Sequence, residues 1–164
     1  MAMVGLFWIT EDSVYVGSPP AVDGRCVRLD TEGVEAVDPD GSRAWTWADL
    51  RSATVEGVTV RGTIGARLGL AVEALLSAGA GLGSGSPEMT LRLVTADAAE
   101  DVPVPAAASG YGSEEIALSQ SVLARFVAGT AEPATLVAWG RHNSGRGAPK
   151  PREREELLRA WAEV

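Results

Sequence analysis

The stretch that decides the fold is "VRLDTEGVEAVDPDGSRAWTWADLRSATVEG", residues 27–57. Short runs rich in apolar and β-branched residues alternate in it with turn-forming residues, a pattern typical of antiparallel strands. Gly33 predicts one tight turn, because glycine adopts positive φ angles without steric cost, and the Asp-Pro-Asp-Gly segment at 38–41 predicts another. The stretch therefore predicts a meander of short strands at 26–30, 34–38, 42–48 and 51–60.

Two tryptophans, Trp45 and Trp47, lie two positions apart and therefore on one face of the predicted strand. Aromatic residues make up only 5% of the chain, so few other large side chains could fill a core. We therefore expect both tryptophans to anchor the core; facing outward, they would form an aromatic patch of the kind that a partner covers. Asp49 is expected to hold the strand corner by accepting backbone hydrogen bonds.

The sequence on either side of this meander predicts two more hairpins. The segments 4–9 and 13–18 form the first, and 88–95 with 100–106 forms the second. Proline cannot donate to a strand ladder, so Pro103 and Pro105 place the last strand at the edge of a sheet. Together with the central meander, these segments give about seven or eight short strands.

Helical spacing of apolar residues predicts four helices, at about 63–78, 113–128, 133–141 and 152–164. The glycine-rich segment 79–87 is expected to be a flexible connection. The fold class is therefore α+β: an antiparallel β-barrel or sandwich with an inserted helix and C-terminal helices. We expect residues 1–130 to form the β domain, closed by the helix at 113–128. Residues 131–164 are expected to form a helical extension with a basic linker at 141–154.

The meander also carries a family resemblance. In 27–57 a hairpin ends in an aromatic-rich strand, and Trp47-Ala48-Asp49-Leu50 turns the corner into the next strand. This resembles the pattern of bacterial PH-like domains. Together, "GLFWITEDSVYVG" (5–17) and "WTWADL" (45–50) are also similar to a group of uncharacterised actinobacterial proteins. The resemblance covers residues 4–128 and implies a PH-like barrel or sandwich that binds lipids, peptides or proteins. The basic phosphoinositide-binding loop of the family has no counterpart in this sequence.

Composition and charge narrow the function classes. The chain has 164 residues and a formal net charge of −8, and such a field repels phosphate backbones and anionic lipids. We therefore expect no nucleic-acid partner. No apolar run is long enough to span a membrane and the N-terminus lacks the features of a signal peptide, which predicts a cytoplasmic protein.

Candidate catalytic groups are few. Cys26 is the single cysteine and His142 the single histidine, so neither an intramolecular disulfide nor a cysteine-based zinc site can form. The sequence suggests neither a Cys-His nor a Ser-His-Asp arrangement. We therefore expect no cofactor, no metal and no enzymatic activity.

The C-terminal region carries the candidate binding residues. Its basic residues run against the acidic balance of the chain and would dock an acidic partner or a phosphate group; alternatively, they form a solvated linker or fold back onto the acidic surface of the same chain. The apolar stripe of the last helix is expected to dock on its own barrel or on a second copy. The candidate residues are Arg141, Arg146, Lys150 and Arg152 in the basic segment, and Leu157, Leu158 and Trp161 in the helix.

The sequence thus predicts a non-enzymatic cytoplasmic protein-binding or scaffold domain. Its partner would be an unknown protein or, through the C-terminal helix, a second copy. The alternatives are a non-catalytic subunit of an enzyme, or a small enzyme whose site has no recognisable motif.

Overall fold

The computed structural model describes residues 1–61 and 87–163, and in these ranges the chain forms nine strands and three helices. The helix predicted at 63–78 and nearly all of the connection predicted at 79–87 lie outside them. The strands are β1 (Ala2–Val4), β2 (Phe7–Ile9), β3 (Val14–Val16), β4 (Cys26–Leu29), β5 (Gly33–Asp38), β6 (Gly41–Thr46), β7 (Leu50–Glu56), β8 (Glu88–Thr95) and β9 (Ala99–Pro105). The helices are α1 (Ser113–Ala128), α2 (Pro133–His142) and α3 (Pro151–Glu163).

The strands form two antiparallel sheets. The first six make a sheet in the order β1-β2-β3-β4-β5-β6, so each strand pairs with its neighbour in sequence, and the last three make a sheet in the order β7-β8-β9. The α+β class with antiparallel strands is confirmed. The barrel alternative is wrong for the described strands, because the chain leaves the first sheet after β6 and starts a separate sheet at β7.

The N-terminal segment differs from its prediction. The single strand predicted at 4–9 is two strands, β1 and β2, which pair with each other across a turn at Gly5 and Leu6. Gly5 has φ of 58°, which favours glycine. A Cβ atom there would overlap the hydroxyl of Ser119 and lie 2.7 Å from Cδ1 of Leu158. The extra hairpin brings the number of described strands to nine, above the seven or eight predicted.

A single apolar core joins the sheets and the helices. Alternating residues of the first sheet, such as Phe7 and Ile9, are fully buried beside residues of the second sheet, such as Leu91 and Leu93. Each helix contributes to the same cluster; α1 supplies Val122, Leu123 and Phe126, α2 supplies Leu136 and α3 supplies Leu158. Residues on both sides of the domain boundary predicted at 130 therefore share one core.

Helix α1 is hydrogen-bonded to both sheets. The hydroxyl of Ser119 accepts the Leu6 N–H at 3.1 Å, at the β1–β2 turn. On the other side, the side-chain amide of Gln120 accepts the Val55 N–H at 3.0 Å and donates to the Val55 carbonyl, on β7. The N-cap of α1 is Gly112. Because Gly112 has no side chain, Glu115 supplies the cap interaction by accepting the Gly112 N–H at 3.3 Å.

The two tryptophans of the strand corner are half-buried and both are held by their indole N–H groups. Trp47 lies one residue beyond β6, packs its ring 5.6 Å from that of Phe126 and donates to the Asp30 carbonyl at 2.9 Å. Trp45 donates to the Glu100 carboxylate on β9 at 2.7 Å. Trp47 therefore ties the corner to the core helix, whereas Trp45 ties the first sheet to the second.

The corner itself is held differently from the prediction. The exposed Asp49 donates its backbone N–H to the carbonyl and the hydroxyl of Thr46, at 3.1 and 3.2 Å. Asp30 plays such a carboxylate role at a different turn, earlier in the chain. Its carboxylate accepts the N–H groups of Glu32 and Gly33, both at 2.9 Å, and so closes the β4–β5 turn. The side chains of Thr46 and Asp30 are short and polar, and each stabilises a turn by accepting nearby backbone N–H groups.

Candidate binding groove

A groove of about 500 Å³ lies between α2, α3 and the N-terminal strands. Its apolar wall is formed by side chains from three different elements: Ile9, Trp139, Leu157 and Ala160. Its charged rim consists of Arg146 on the linker between the helices and of Glu153 and Glu156 on α3. The groove therefore combines an apolar floor with charges of both signs.

Helix α2 is fixed against the β2–β3 hairpin on one side of the groove. Gly140 lets the helix approach, because a Cβ atom at this position would overlap the Thr10 carbonyl oxygen and lie 3.0 Å from Cγ2 of Ile9. Arg141 Nε donates to the Glu11 carbonyl at 2.7 Å. Ser144 donates its hydroxyl to the Glu11 carboxylate. These contacts set the position of Trp139 relative to the N-terminal strands.

The linker between α2 and α3 spans residues 143–150 and is shorter than the 141–154 segment predicted from charge. Its first turn is closed by Asn143, whose backbone N–H and side-chain amide both donate to the Trp139 carbonyl, at 3.0 and 2.9 Å. Arg146 then donates its N–H to the Asn143 carbonyl at 3.0 Å. This compact turn places the exposed Arg146 side chain at the groove rim.

Helix α3 docks on its own chain through a buried ion pair and one buried leucine. Arg154 and Glu115 are 8% and 1% exposed, and Arg154 Nε donates to the Glu115 carboxylate. Arg154 also donates to the Pro149 carbonyl at 3.1 Å. Leu158, one turn further along α3, is fully buried. A buried carboxylate is stable only when it is paired, so α3 supplies, in Arg154, the positive charge that Glu115 of α1 needs.

The far end of α3 is held by Arg125 of α1. Its guanidinium donates to the Trp161 carbonyl at 2.7 Å and to the Thr130 carbonyl at 2.8 Å. The Trp161 ring packs edge-on against Trp139, with the ring centroids 6.0 Å apart. Beside this contact, a second, apolar pocket of about 210 Å³ is lined by Phe126 and Trp161 among other residues. Ala160 lies in the wall of both cavities.

The structure separates the seven residues predicted for binding into three groups. Arg146 and Leu157 line the groove, and Lys150 lies exposed at the N-terminus of α3. Arg141 and Arg152 interact with acidic or carbonyl groups of their own chain: Arg141 with the Glu11 carbonyl and, at 3.9 Å, with Asp12, and Arg152 with Glu156 at 3.2 Å. Leu158 and Trp161 pack against the core and against Trp139.

The arginines of the basic segment have different surroundings. Arg141 folds back onto an acidic hairpin, and the buried Arg154 neutralises Glu115. The segment is therefore not a continuous positive strip, because its members point to different parts of the same chain. The groove residues Trp139, Asn143 and Ile9 were not predicted. Ile9 is remote in sequence from the other two, and only Trp139, a large residue on a predicted helix, gave any signal.

The two carboxylates at the groove rim have structural partners. Glu153 accepts the Lys150 N–H at 2.7 Å at the start of α3, and Glu156 accepts from Arg152. Among the residues that the structure describes, no three His, Cys, Asp or Glu side chains cluster as a metal site requires. The groove thus offers fixed charges and apolar surface.

The single cysteine lies elsewhere, on β4, and is half-buried. Burial raises the pKa of the Cys26 thiol above its ordinary value of 9.0; the charge of Glu35 raises it further, and that of Arg28 opposes both. A thiol with a raised pKa is protonated at neutral pH and is a weak nucleophile. His142, at the end of α2, is exposed and does not line the groove.

No protein-family model matches the chain, and neither a curated protein nor a solved structure matches it. None of the helices in the described part of the chain has the length and apolar character needed to cross a membrane.

Proposed function

We propose that the protein is a non-enzymatic, cytoplasmic protein-binding or scaffold domain, and that it takes a segment of its partner into the groove between α2 and α3. The observation that carries the proposal is the groove itself, with Trp139 and Leu157 in its wall and Arg146 at its rim. Its volume of about 500 Å³ lies within the range of roughly 300–1,000 Å³ that is typical of ligand sites.

The chemistry of the lining indicates the kind of segment that fits. An apolar side chain of the partner would lie against Trp139 and Leu157, where it gains most from leaving water. An acidic group beside it would meet Arg146, and a basic group would meet Glu153 or Glu156. Since these charges lie at the exposed rim, they orient the segment more than they add to its affinity.

The fixed position of both walls supports the same proposal. Helix α2 is held by Arg141 and Gly140 against the β2–β3 hairpin, and α3 is held by Arg154 against α1. A groove whose walls are already in place loses little conformational entropy when a partner binds.

The experiment compares two substitutions of the same kind on exposed helical alanines. Ala160→Arg places a long charged side chain in the groove wall, whereas Ala117→Arg places it on the exposed side of α1. Immobilised full-length protein and both variants would be used to capture partners from extracts of the native organism. We expect a specific partner to bind the wild-type protein and Ala117→Arg but to be lost with Ala160→Arg, at unchanged melting temperature.

A partner that binds all three proteins equally would contradict the groove assignment. Turnover of a small molecule by the purified protein, abolished by Ala160→Arg, would instead make it an enzyme.

The PH-like relationship remains part of this proposal. It is supported by the antiparallel meander and by α1, which follows the last strand and bonds to both sheets through Ser119 and Gln120. A crystal structure in which α1 contacts only one of the two sheets would count against it.

A further inference from the structure

Three of the four edge strands in the described sheets are protected against pairing with another chain. Edge strands expose unpaired N–H and C=O groups, and proteins protect them with helices, prolines or side chains. Strand β1 is in contact with α3. Strand β7 is bonded by the side chain of Gln120 at Val55. Strand β9 contains Pro103 and Pro105, and the Pro105 carbonyl accepts the Ser18 N–H at 2.9 Å.

Strand β6 is the exception among these four edges. All of its residues except the half-buried Trp45 are exposed. The Trp47 N–H, just beyond the strand, bonds to Glu32 on the side of β5. Since bonding direction alternates along a strand, the backbone groups of Ser42, Ala44 and Thr46 point away from β5. Within residues 1–61 and 87–163, only the Thr46 carbonyl has a backbone partner there, the Asp49 N–H at 3.1 Å.

We propose that β6 pairs antiparallel with β6 of a second copy, about a twofold axis at Ala44. The outward-pointing positions are spaced symmetrically about this residue, so the edge is complementary to itself. Ala44 would exchange both hydrogen bonds with Ala44 of the second copy, and Ser42 would pair with Thr46 of the second copy. An isologous contact of this kind closes at two chains and does not propagate.

The side chains of β6 favour a second copy as the occupant. In this register Arg43 lies directly opposite Trp45 of the second copy. Within one chain the Arg43 guanidinium already lies 5.3 Å from the Trp45 ring, and Glu100 accepts from both residues. The dimer would therefore alternate guanidinium groups with indole rings and carboxylates across the axis. The side chains at 42, 44 and 46, on the opposite face of β6 from Arg43 and Trp45, are small and do not obstruct pairing.

The contact uses residues of the first sheet, not those of the groove. Loss of the dimer would therefore leave the proposed binding function intact, and loss of partner capture with Ala160→Arg would leave the dimer intact.

The register is tested by disulfide formation in full-length protein, in a Cys26→Ser background. Residues of a hydrogen-bonded antiparallel pair have Cα atoms about 5.5 Å apart, within the roughly 4.4–6.8 Å that a disulfide spans. We expect Ala44→Cys to form a covalent dimer on mild oxidation. Ser42→Cys and Thr46→Cys should each form no covalent dimer alone but cross-link when mixed. Cross-linking of Ser42→Cys with itself, or failure of Ala44→Cys to cross-link, would overturn the register.

The association itself is tested by sedimentation at physiological ionic strength, where the repulsion between two chains of charge −8 is screened beyond about 8 Å. The wild-type protein should sediment as a dimer. Ala44→Pro removes an outward N–H at an edge where proline is tolerated, and Ala44→Lys places like charges opposite each other. Both should weaken association at least tenfold while circular dichroism shows the same folded structure. Wild-type protein that stays monomeric at its highest attainable concentration would overturn the proposal, as would variants that associate like wild type.

Discussion

The linker at 143–150 and the helix α3 that follows it both contain arginines, yet these arginines lie in opposite environments, one exposed and one buried. Arg146, on the linker, is exposed at a groove rim, whereas Arg154, on α3, is 8% exposed and bonded to a buried carboxylate. The charge pattern of the sequence grouped these arginines as one basic segment. The difference shows that whether an arginine is buried depends on a partner residue distant in the sequence, which for Arg154 is Glu115 on α1.

The apolar residues of α3 show the same dependence. Leu158 is fully buried because Gly5, at the β1–β2 turn, has no side chain to occupy that space. Its neighbour Leu157 is only half-buried and lines the groove. A helix that reads as a separate tail is therefore a component of the core on one side and a binding surface on the other.

The largest expected effect is that of deleting residues 142–164. The deletion removes Leu158 from the core, which costs about 2–5 kcal/mol for a leucine truncation, and leaves Glu115 buried without its partner, which costs about 3–5 kcal/mol. Together these approach the roughly 5–15 kcal/mol that stabilise a typical domain. We expect loss of cooperative thermal unfolding in circular dichroism. A truncated protein that melts cooperatively near the wild-type temperature would show that the helix is dispensable.

Arg154→Ala should destabilise the protein by about 3–5 kcal/mol, because the carboxylate of Glu115 stays buried without a counter-charge. The matched substitution is Arg152→Ala, whose partner Glu156 is solvent-exposed on the same helix; such pairs contribute about 0–1 kcal/mol. Urea denaturation measures both. If Glu115→Gln combined with Arg154→Met is as unstable as Arg154→Ala alone, the effect is not electrostatic.

Leu158→Ala should destabilise the fold by about 2–5 kcal/mol through loss of burial and the cavity it creates. Leu157→Ala, one position earlier, should cost less, because its side chain is already half-exposed. Chemical denaturation of the two variants compares the two faces of α3 with the same leucine-to-alanine substitution. Equal losses would mean that the helix is rotated relative to the structure described.

The smallest effects are expected in the linker. Arg146→Ala and Lys150→Ala should change stability by less than about 0.5 kcal/mol, as exposed substitutions usually do. The rate of partner capture should nevertheless fall for Arg146→Ala, which lines the groove, and remain unchanged for Lys150→Ala, which does not. Denaturation and capture measured on the same samples would separate stability from binding. A large loss of stability in either variant would remove the contrast between linker and helix.

The local sequence pattern was sufficient to predict those strands and helices whose own residues carry the whole pattern. The alternating residues of 88–95 and the helical spacing of apolar residues in 113–128 predicted β8 and α1, the strand with its bounds unchanged. The segment 4–9 was mistaken for one strand because Val4, Leu6, Phe7 and Ile9 are all buried in the core. A continuous apolar run predicts a single strand. The turn within it depends on the positive φ of Gly5, which the apolar pattern does not indicate.

The groove could be predicted only in part, because its wall is assembled from remote segments. Leu157 and Arg146 came from the charge and apolar patterns of the C-terminal region. The other wall residues depend on how α2 packs against the β2–β3 hairpin, which requires Gly140 to lie against Thr10. The pairing of Glu115 with Arg154, 39 residues apart, is equally invisible to a local pattern. By residue type, Glu115 is the same as the exposed Glu114, and Arg154 is the same as the exposed Arg152.

The hydrogen bond from Leu6 to Ser119 has a consequence for synthesis on the ribosome. The two residues are 113 positions apart, and at about 5–20 residues per second the ribosome needs roughly 6–23 s to make the intervening chain. During that interval the β1–β2 hairpin has no partner for the Leu6 amide, and the Phe7 ring lacks the Phe126 ring of α1 that it packs against. The nascent β1–β2 hairpin is therefore exposed to chaperones and proteases throughout this interval, although Val4, Phe7 and Ile9 are fully buried in the folded protein.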